Sequence, residues 1–240
     1  MTIQIKNLNK TYNNVLAVQN ISFKINKGSI IGLLGPNGCG KTTTIGMMLG
    51  LIKPSSGSVF INGQNIENES NRTKILEKVN FISPYVELPK KLTVEENLLI
   101  YGKLYGVSNL KEKIINLMDD LNLINFRNRK TGELSSGQKN RVSLAKSLIN
   151  EPEILLLDEP TASLDPDVGD YIRSYIESFA SKKNTTILLA SHNMNEVERL
   201  CNEVLMMKNG KIIDEGTCKN LIEKHGRKNL EETFLKIVRE

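Results

Sequence analysis

The sequence predicts an α/β fold in which a parallel β-sheet is covered by helices and interrupted by a helical insertion. Strand-like and helix-like segments alternate along much of the chain, which is typical of parallel sheets. From about Thr93 to Ile149 the pattern is helical throughout. No repeat, low-complexity tract or Pro/Ser-rich linker divides the 240 residues, so we expect two lobes within one domain.

Strands are predicted near the N-terminus. Ile3 and Ile5 alternate with polar residues, and Ile21–Ile25 does the same. Ser29–Leu34 is a continuous apolar run, and Gly57–Gly63 resembles a strand that leads into a turn. The chain is therefore expected to begin as a β-rich segment.

The helical insertion is predicted to begin at Thr93, which with Glu96 fits a capping box. Apolar residues follow at helical spacing in two segments. These are Leu98, Leu99, Tyr101, Leu104 and Tyr105 in the first helix, and Ile114, Ile115, Leu117, Met118 and Leu121 in the second.

Strand and helix alternate again after the insertion. Ile154–Leu157 and Thr185–Ala190 are apolar and predict buried strands. Asp165 suits a helix N-cap and Pro166 the first helical position. Asn193, with an acidic residue three positions on, predicts the start of another helix.

Composition narrows the functional classes. The hydrophobic fraction of 39% and charged fraction of 25% are those of a globular protein. No apolar run reaches the roughly 20 residues of a bilayer span, and the N-terminus lacks the features of a secretory signal. We therefore expect a cytoplasmic protein that reaches a membrane only through a partner. The net charge of +5 is scattered among acidic residues, which disfavours nucleic acid as a ligand.

The cysteines and histidines do not suggest a metal centre. Cys39, Cys201 and Cys218 form no C-x-x-C pair, and His192 and His225 lie far apart in sequence. This pattern is typical of a reducing compartment.

The strongest motif is a glycine-rich segment at residues 35–43 that matches G-x-x-x-x-G-K-[ST], between an apolar strand and a helix. Glycines let successive N–H groups point at one phosphate, and the helix that begins near Lys41 adds its positive end. Lys41 is predicted to contact the β- and γ-phosphates, and the Thr42 hydroxyl to ligate Mg²⁺. The alternative is a glycine-rich turn that matches by accident. The predicted nucleotide-binding residues are Gly35, Pro36, Asn37, Gly38, Cys39, Gly40, Lys41, Thr42 and Thr43.

Two acidic residues end the second buried strand. Asp158 and Glu159 follow Ile154–Leu157, at the edge where ligands bind in open α/β sheets. Asp158 is predicted to reach Mg²⁺ through water and Glu159 to polarise the attacking water. Acidic residues also end many strands without catalytic purpose, so this prediction depends on the glycine-rich loop.

A third motif narrows the class of nucleotide-binding protein. Leu134-Ser135-Ser136-Gly137-Gln138 lies between the other two motifs and resembles the LSGGQ signature of ABC ATPases, with Ser136 in place of the first glycine. The resemblance covers nearly the whole chain, from Tyr12 to His192. It implies a P-loop NTPase fold with a mainly parallel central sheet, an N-terminal antiparallel β-subdomain and a helical signature subdomain.

The resemblance also implies a dimer that binds and hydrolyses ATP with Mg²⁺. Ser135, Ser136, Gly137 and Gln138 begin a helix whose N-terminus can bind an anion. Two chains arranged head to tail would then bury two ATP molecules, each between one chain's phosphate loop and the other's signature. Binding would close the dimer and hydrolysis would open it.

Four further residues receive roles by resemblance. His192 is expected to contact the γ-phosphate, although a lone histidine is more often structural. Tyr12 is expected to stack on adenine with Val18 beside it, unless it is only a half-buried strand residue. Asp165 is expected at the dimer seam, although helix capping alone would explain it.

The sequence departs from the family pattern near Pro84, which stands where members usually carry a glutamine that contacts Mg²⁺ and the attacking water. Tyr85, water or no group would replace that contact and slow hydrolysis, or the loop simply tolerates the substitution. Cys39 within the phosphate loop is expected to have a lowered thiol pKa because of Lys41 and the helix N-terminus, or else to be only a small space-filling residue.

The resemblance divides the chain into a RecA-like lobe at about residues 1–92 and 150–240, a helical subdomain at about 93–149 and a helical tail at about 217–240. The tail is expected to pack on the domain through Leu230, Phe234, Leu235, Ile237 and Val238. The implied partners are transmembrane permease subunits and a second ABC ATPase subunit, with export as the transport direction. A cytosolic ABC ATPase that acts on another macromolecule is the alternative.

Overall fold

The computed structural model describes residues 2–83, 87–162 and 164–239. Within these ranges the chain forms ten strands in two sheets, with nine α-helices around them. The strands are β1 (Ile3–Tyr12), β2 (Val15–Ile25), β3 (Ile30–Leu34), β4 (Ser56–Ile61), β5 (Gln64–Asn65), β6 (Val79–Ile82), β7 (Ile154–Asp158), β8 (Thr186–Ser191), β9 (Glu203–Lys208) and β10 (Lys211–Gly216). The helices are α1 (Lys41–Met48), α2 (Glu69–Leu76), α3 (Val94–Leu104), α4 (Leu110–Asp120), α5 (Ser136–Leu148), α6 (Pro166–Lys183), α7 (Met194–Leu200), α8 (Cys218–His225) and α9 (Leu230–Arg239).

The larger sheet has the order β10-β9-β3-β8-β7-β6 and is parallel except for β10. The smaller sheet has the order β2-β1-β4-β5 and is antiparallel. The predicted fold class, with a mainly parallel sheet and an antiparallel N-terminal subdomain, is confirmed.

Strands β3, β7 and β8 are buried along their whole lengths, as their continuous apolar sequences predict. One face of this sheet packs with the smaller sheet and α1, and the other packs with helices α3 to α6. Burial on both faces fixes the register of the strands. The register in turn fixes the positions of the residues that follow each strand.

Helix starts follow the predicted capping rules with one exception. The Glu96 N–H donates to Thr93 Oγ1 (3.1 Å), and the Thr93 N–H donates to Glu96 Oε2 (2.8 Å), which completes the capping box. Pro166 stands at the first position of α6, but the Asp165 side chain makes no capping hydrogen bond. Asp165 therefore occupies the predicted position without the predicted contact.

The C-terminal helices pack on the larger sheet. Leu221, Leu230 and Ile237 are buried against residues of β3, β9 and α7, with Phe234 partly buried beside them. The prediction that the amphipathic tail packs on the domain is confirmed at Leu230, Phe234 and Ile237, whereas Leu235 is exposed.

Candidate functional site

The candidate site lies where β3, β7 and β8 end. Leu34 of β3 pairs with Ser191 of β8, and Asp158 of β7 pairs with Ala190 of β8. Because the strands are parallel, the segments that follow them meet at one edge of the sheet. The glycine-rich loop follows β3, Glu159 follows β7 and His192 follows β8, so all three lie at this edge.

The loop at residues 35–40 turns tightly from β3 into α1. Gly40 has a φ of 108°, and a Cβ atom there would lie 2.5 Å from the Ala17 carbonyl oxygen, so only glycine fits. The first residue of α1 is Lys41, which places the amide groups of the loop at the positive end of that helix. This arrangement suits an anion.

The Lys41 side chain is held at the same loop. Lys41 is only 7% exposed. Its Nζ atom donates to the carbonyl oxygens of Gly35 (2.6 Å) and Pro36 (3.3 Å). An ammonium group has three N–H donors, so the loop positions the charge while leaving capacity for a phosphate oxygen.

The side chains of Val18 and Cys39 lie in surroundings that differ from those predicted from the sequence. Val18 is fully buried and lies against Gly40. It therefore supports the loop from below and presents no surface to a base.

Cys39 is also buried beneath the loop, and burial raises the pKa of its thiol, against the opposing effect of Lys41. The expectation of a lowered pKa is wrong, because loss of hydration outweighs the neighbouring positive charge.

A support for the loop that sequence reasoning missed is the turn between β9 and β10. The Gly210 N–H donates to the Cys39 carbonyl oxygen (3.0 Å), and the Gly210 carbonyl oxygen accepts from the Gln19 N–H (2.7 Å). Gly210 follows Asn209, and both have positive φ. The Asn-Gly pair between apolar runs is the sequence signal of such a hairpin.

Thr42 and Asp158 are in direct contact. The Thr42 hydroxyl donates to Asp158 Oδ2 (2.8 Å). Burial raises the pKa of Asp158, with the Glu159 charge adding to the rise while the Thr42 hydrogen bond and Lys41 oppose it. A hydroxyl and a buried carboxylate at one point form a polar pair that suits a hard divalent cation.

Glu159 and His192 form the other polar pair of the site. His192 Nδ1 lies 2.7 Å from Glu159 Oε1. Glu159 has a φ of 53°, which is uncommon for a residue other than glycine and typical of functional sites. Its backbone N–H donates to the Ala190 carbonyl oxygen (2.8 Å), which ties it to β8.

The signature segment begins α5 with a complete capping box. The Gln138 N–H donates to Ser135 Oγ (3.3 Å), and the Ser135 N–H donates to Gln138 Oε1 (3.0 Å). A Cβ atom on Gly137 would lie 3.6 Å from Leu164, so the helix start is close to the segment after Glu159. Ser136 and Glu159 both line a cleft of about 280 Å³ between the helical region and the sheet.

Tyr12 and Asp165 lie at the surface. Tyr12 is 42% exposed at the end of β1, and Lys10 Nζ lies 4.8 Å from the centroid of its ring. Asp165 is exposed before α6. Pro84 and Tyr85, which carry sequence predictions, fall outside the described residues.

A second functional candidate that the sequence did not reveal is Glu196 on α7. Its carboxylate is buried and accepts hydrogen bonds from Thr161 Oγ1 and Ser191 Oγ, each at 2.7 Å. Its position three residues after Asn193 suggested only a helix cap.

Comparisons with known proteins find similar sequences. The ABC transporter family profile matches residues 18–162. The Nod factor export ATP-binding protein I of Burkholderia orbicola (strain AU 1054) is 36% identical over 223 residues, which cover 92% of this chain and 72% of that protein. The protein of the same name from Rhizobium sp. (strain N33) is 35% identical over 227 residues, covering 94% and 74%.

Solved structures are also similar to this chain. An ATP-binding subunit of an ABC transporter superposes with a TM-score of 0.90 at 25% identity, covering 98% of this chain and 99% of that one. A dimeric ATP-binding cassette bound to ADP and Pi has a TM-score of 0.82 at 28% identity, covering 90% and 98%. Among the helices in the described part of the chain, none is both long and apolar enough to cross a bilayer.

Proposed function

The chain belongs to the ABC transporter family of ATP-binding proteins, and we propose that residues 35–43, Asp158, Glu159 and His192 form its ATPase site. The observation that carries the proposal is the convergence of these residues at one edge of the larger sheet, with the Lys41 ammonium held at the loop. The family and the similarity to a cassette bound to ADP and Pi support ATP as the nucleotide.

Mg²⁺ is the cation that the donors suit. Within the described ranges no group of three or more His, Cys, Asp or Glu side chains could hold a metal. Mg²⁺ in phosphate-binding sites needs no such group, because one carboxylate, a hydroxyl, water and phosphate oxygens complete its shell. Thr42 would supply the hydroxyl and Asp158 the carboxylate, through water. The ion supplies neutralisation of phosphate charge when bound.

The residues of this chain then divide the reaction between them. The amide groups of the loop and Lys41 hold the β- and γ-phosphates. Glu159 orients and polarises the attacking water, and His192 contacts the γ-phosphate from the neighbouring strand. Because His192 is hydrogen-bonded to Glu159, a phosphate that engages the imidazole would also affect the orientation of the carboxylate.

A second copy of the fold completes the site. The α5 N-terminus at Ser135 offers backbone N–H groups and a helix dipole. Asp165, a few residues after Glu159 in the sequence, is exposed. In a head-to-tail dimer the signature of one chain would meet ATP on the other, with Tyr12 stacked on adenine. The similarity to a dimeric cassette supports this arrangement.

The motor acts on transmembrane permease subunits at the cytoplasmic face of a membrane, with export as the direction. The similarity to two proteins named as export ATP-binding proteins supports export. The helical lobe and the cleft beside Glu159 would receive a segment of the permease, so that closure of the dimer pulls on the membrane subunits.

Affinity purification of the tagged chain from native membranes tests this function. We expect an integral membrane protein with several apolar spans to co-purify, and ATP hydrolysis in that complex. Co-purification with a macromolecule that has no such spans would favour the alternative, an ABC ATPase acting outside transport. Absence of ATP binding by the parent chain would overturn the proposal itself.

A further inference from the structure

We propose that Glu196 is a positioning residue that holds the segments carrying Glu159 and His192 in register, and this inference rests on the proposed ATPase function. Glu196 lies on α7, outside the phosphate loop and the signature. The Glu196 carboxylate contacts one residue of each segment, and both segments follow strands that end at the site.

The contacts close a ring of polar groups. Glu196 Oε1 accepts from Thr161 Oγ1 and Oε2 accepts from Ser191 Oγ, each at 2.7 Å. Thr161 is two residues after Glu159, and Ser191 directly precedes His192. The ring is completed by the contact of 2.7 Å between His192 Nδ1 and Glu159 Oε1.

Helix capping does not account for this carboxylate. In a capping box the acidic side chain at the third helical position accepts from the N-cap N–H. Here the Asn193 N–H donates to Ser191 Oγ (3.1 Å), while Asn193 Oδ1 caps the Glu196 N–H (3.3 Å). The Glu196 carboxylate therefore accepts hydrogen bonds from Ser191 and Thr161, and the N-cap N–H is bonded to Ser191 instead.

The Glu196 carboxylate is buried, so it would be unfavourable without its two hydrogen-bond donors. Glu196 is 1% exposed, and loss of hydration disfavours a buried carboxylate unless hydrogen bonds compensate. The two hydroxyl donors supply that compensation. Because each donor belongs to a different segment, a shift of either segment would leave a carboxylate oxygen unsatisfied. The carboxylate thus resists independent movement of Glu159 and His192.

The test compares Glu196→Ala and Glu196→Gln in the full-length chain, by steady-state ATPase assays and by binding of a fluorescent ATP analogue. Loss of these two hydrogen bonds in Glu196→Ala should lower kcat by about 10- to 100-fold, the range found when residues that orient metal ligands are removed. The analogue Kd should stay within about twofold, because the phosphate loop does not contact Glu196. The amide of Glu196→Gln can still bridge the two hydroxyls and should retain most of the activity.

Single-arm variants, each of which removes one of the two hydroxyl donors to Glu196, separate an effect on positioning from a loss of folding. Thr161→Val and Ser191→Ala each remove one donor and should each lower kcat by less than Glu196→Ala does. Glu198→Gln, on the same helix but exposed and bonded to the Leu230 N–H, should hydrolyse ATP at the parental rate. If Glu196→Ala does not fold, the two single-arm variants decide the question.

A double-mutant comparison supplies the readout that general destabilisation would not produce. If Glu196 acts through His192 and Glu159, Glu196→Ala should lower kcat much less in the His192→Ala protein than it does in the parent. Fully multiplicative losses would overturn the proposal, as would parental kcat in Glu196→Ala. A parent chain that neither binds nor hydrolyses ATP would instead overturn the proposed function.

Discussion

His192 Nδ1 lies 2.7 Å from Glu159 Oε1, so a side chain that follows β8 is joined to one that follows β7. The Glu159 side chain is 17% exposed, whereas that of His192 is 61% exposed. The carboxylate is therefore sheltered and the imidazole is accessible. A ligand that enters the site can reach His192 directly and affect Glu159 through this contact.

The first prediction concerns Glu159→Gln. The amide keeps the shape of the side chain but cannot accept a proton, so turnover should fall by about 10²- to 10⁴-fold, the usual contribution of a general base. ATP binding should persist, and a closed dimer should accumulate on gel filtration with ATP. Glu67→Gln, an exposed carboxylate far from the site in sequence, is the control. Hydrolysis by Glu159→Gln at the parental rate would remove Glu159 from its assigned role.

The second prediction uses the two histidines of the chain as a matched pair. His192→Ala should lower kcat, because it removes the proposed γ-phosphate contact and the hydrogen bond to Glu159. His225→Ala removes a contact with Asp214 (2.6 Å) between α8 and β10 and should leave hydrolysis unchanged. Steady-state ATPase assays on both variants check this. Equal effects of the two substitutions would contradict a specific role for His192.

The third prediction concerns the cation. Thr42→Val keeps the branched shape but removes the hydroxyl that contacts Asp158, so a higher Mg²⁺ concentration should be needed for half-maximal ATPase activity. Thr42→Ser keeps the hydroxyl and should resemble the parent. Chelation of divalent cations should abolish turnover in all three proteins. An unchanged Mg²⁺ dependence in Thr42→Val would exclude Thr42 as a ligand.

The fourth prediction follows from the burial of Cys39. Burial raises its thiol pKa, so the reactive thiolate is scarcer at neutral pH than for an ordinary cysteine. Labelling by a maleimide should therefore be slow at pH 7 and should continue to accelerate as pH rises above the usual thiol range. Mass spectrometry of the peptide that contains Cys39 measures the rate, with an unfolded sample as reference. Rapid labelling at pH 7 would show that the loop opens readily.

The sequence predicted the elements whose patterns are local. The continuous apolar runs of β3, β7 and β8 predicted buried parallel strands, which the structure confirms. The sequence at residues 35–43 predicted a phosphate-binding loop because that chemistry needs a fixed spacing, and the structure places this segment between β3 and α1. Strands β9 and β10 were not predicted, although their Asn-Gly turn is a strong hairpin signal.

The remaining features depend on contacts distant in sequence. Glu196 fits a helix cap when only its neighbours are considered, and only the fold brings Thr161 and Ser191 to its carboxylate. The expectations for Val18 and Cys39 failed for a related reason. Both side chains lie beneath the loop, and which face of a loop is buried is decided by packing against β9 and the smaller sheet.

The last prediction tests the shared ATP site through the charge at the start of α5. Ser135 accepts from the Gln138 N–H as the N-cap, and Asp and Asn are equally good caps. Ser135→Asp and Ser135→Asn should therefore preserve the helix, with similar melting temperatures. The two side chains have nearly the same shape and differ by one negative charge.

That charge would face the triphosphate of the partner chain if the signature completes its pocket. In the Glu159→Gln background, Ser135→Asp should prevent the ATP-dependent dimer, whereas Ser135→Asn should still form it. The repulsion is coulombic and partly screened by salt, so gel filtration at low and moderate ionic strength measures the difference. Because ATP binds first to the phosphate loop of its own chain, the monomeric Ser135→Asp variant should still bind the fluorescent analogue. Equal dimerisation of the two variants would place the Ser135 helix end away from nucleotide.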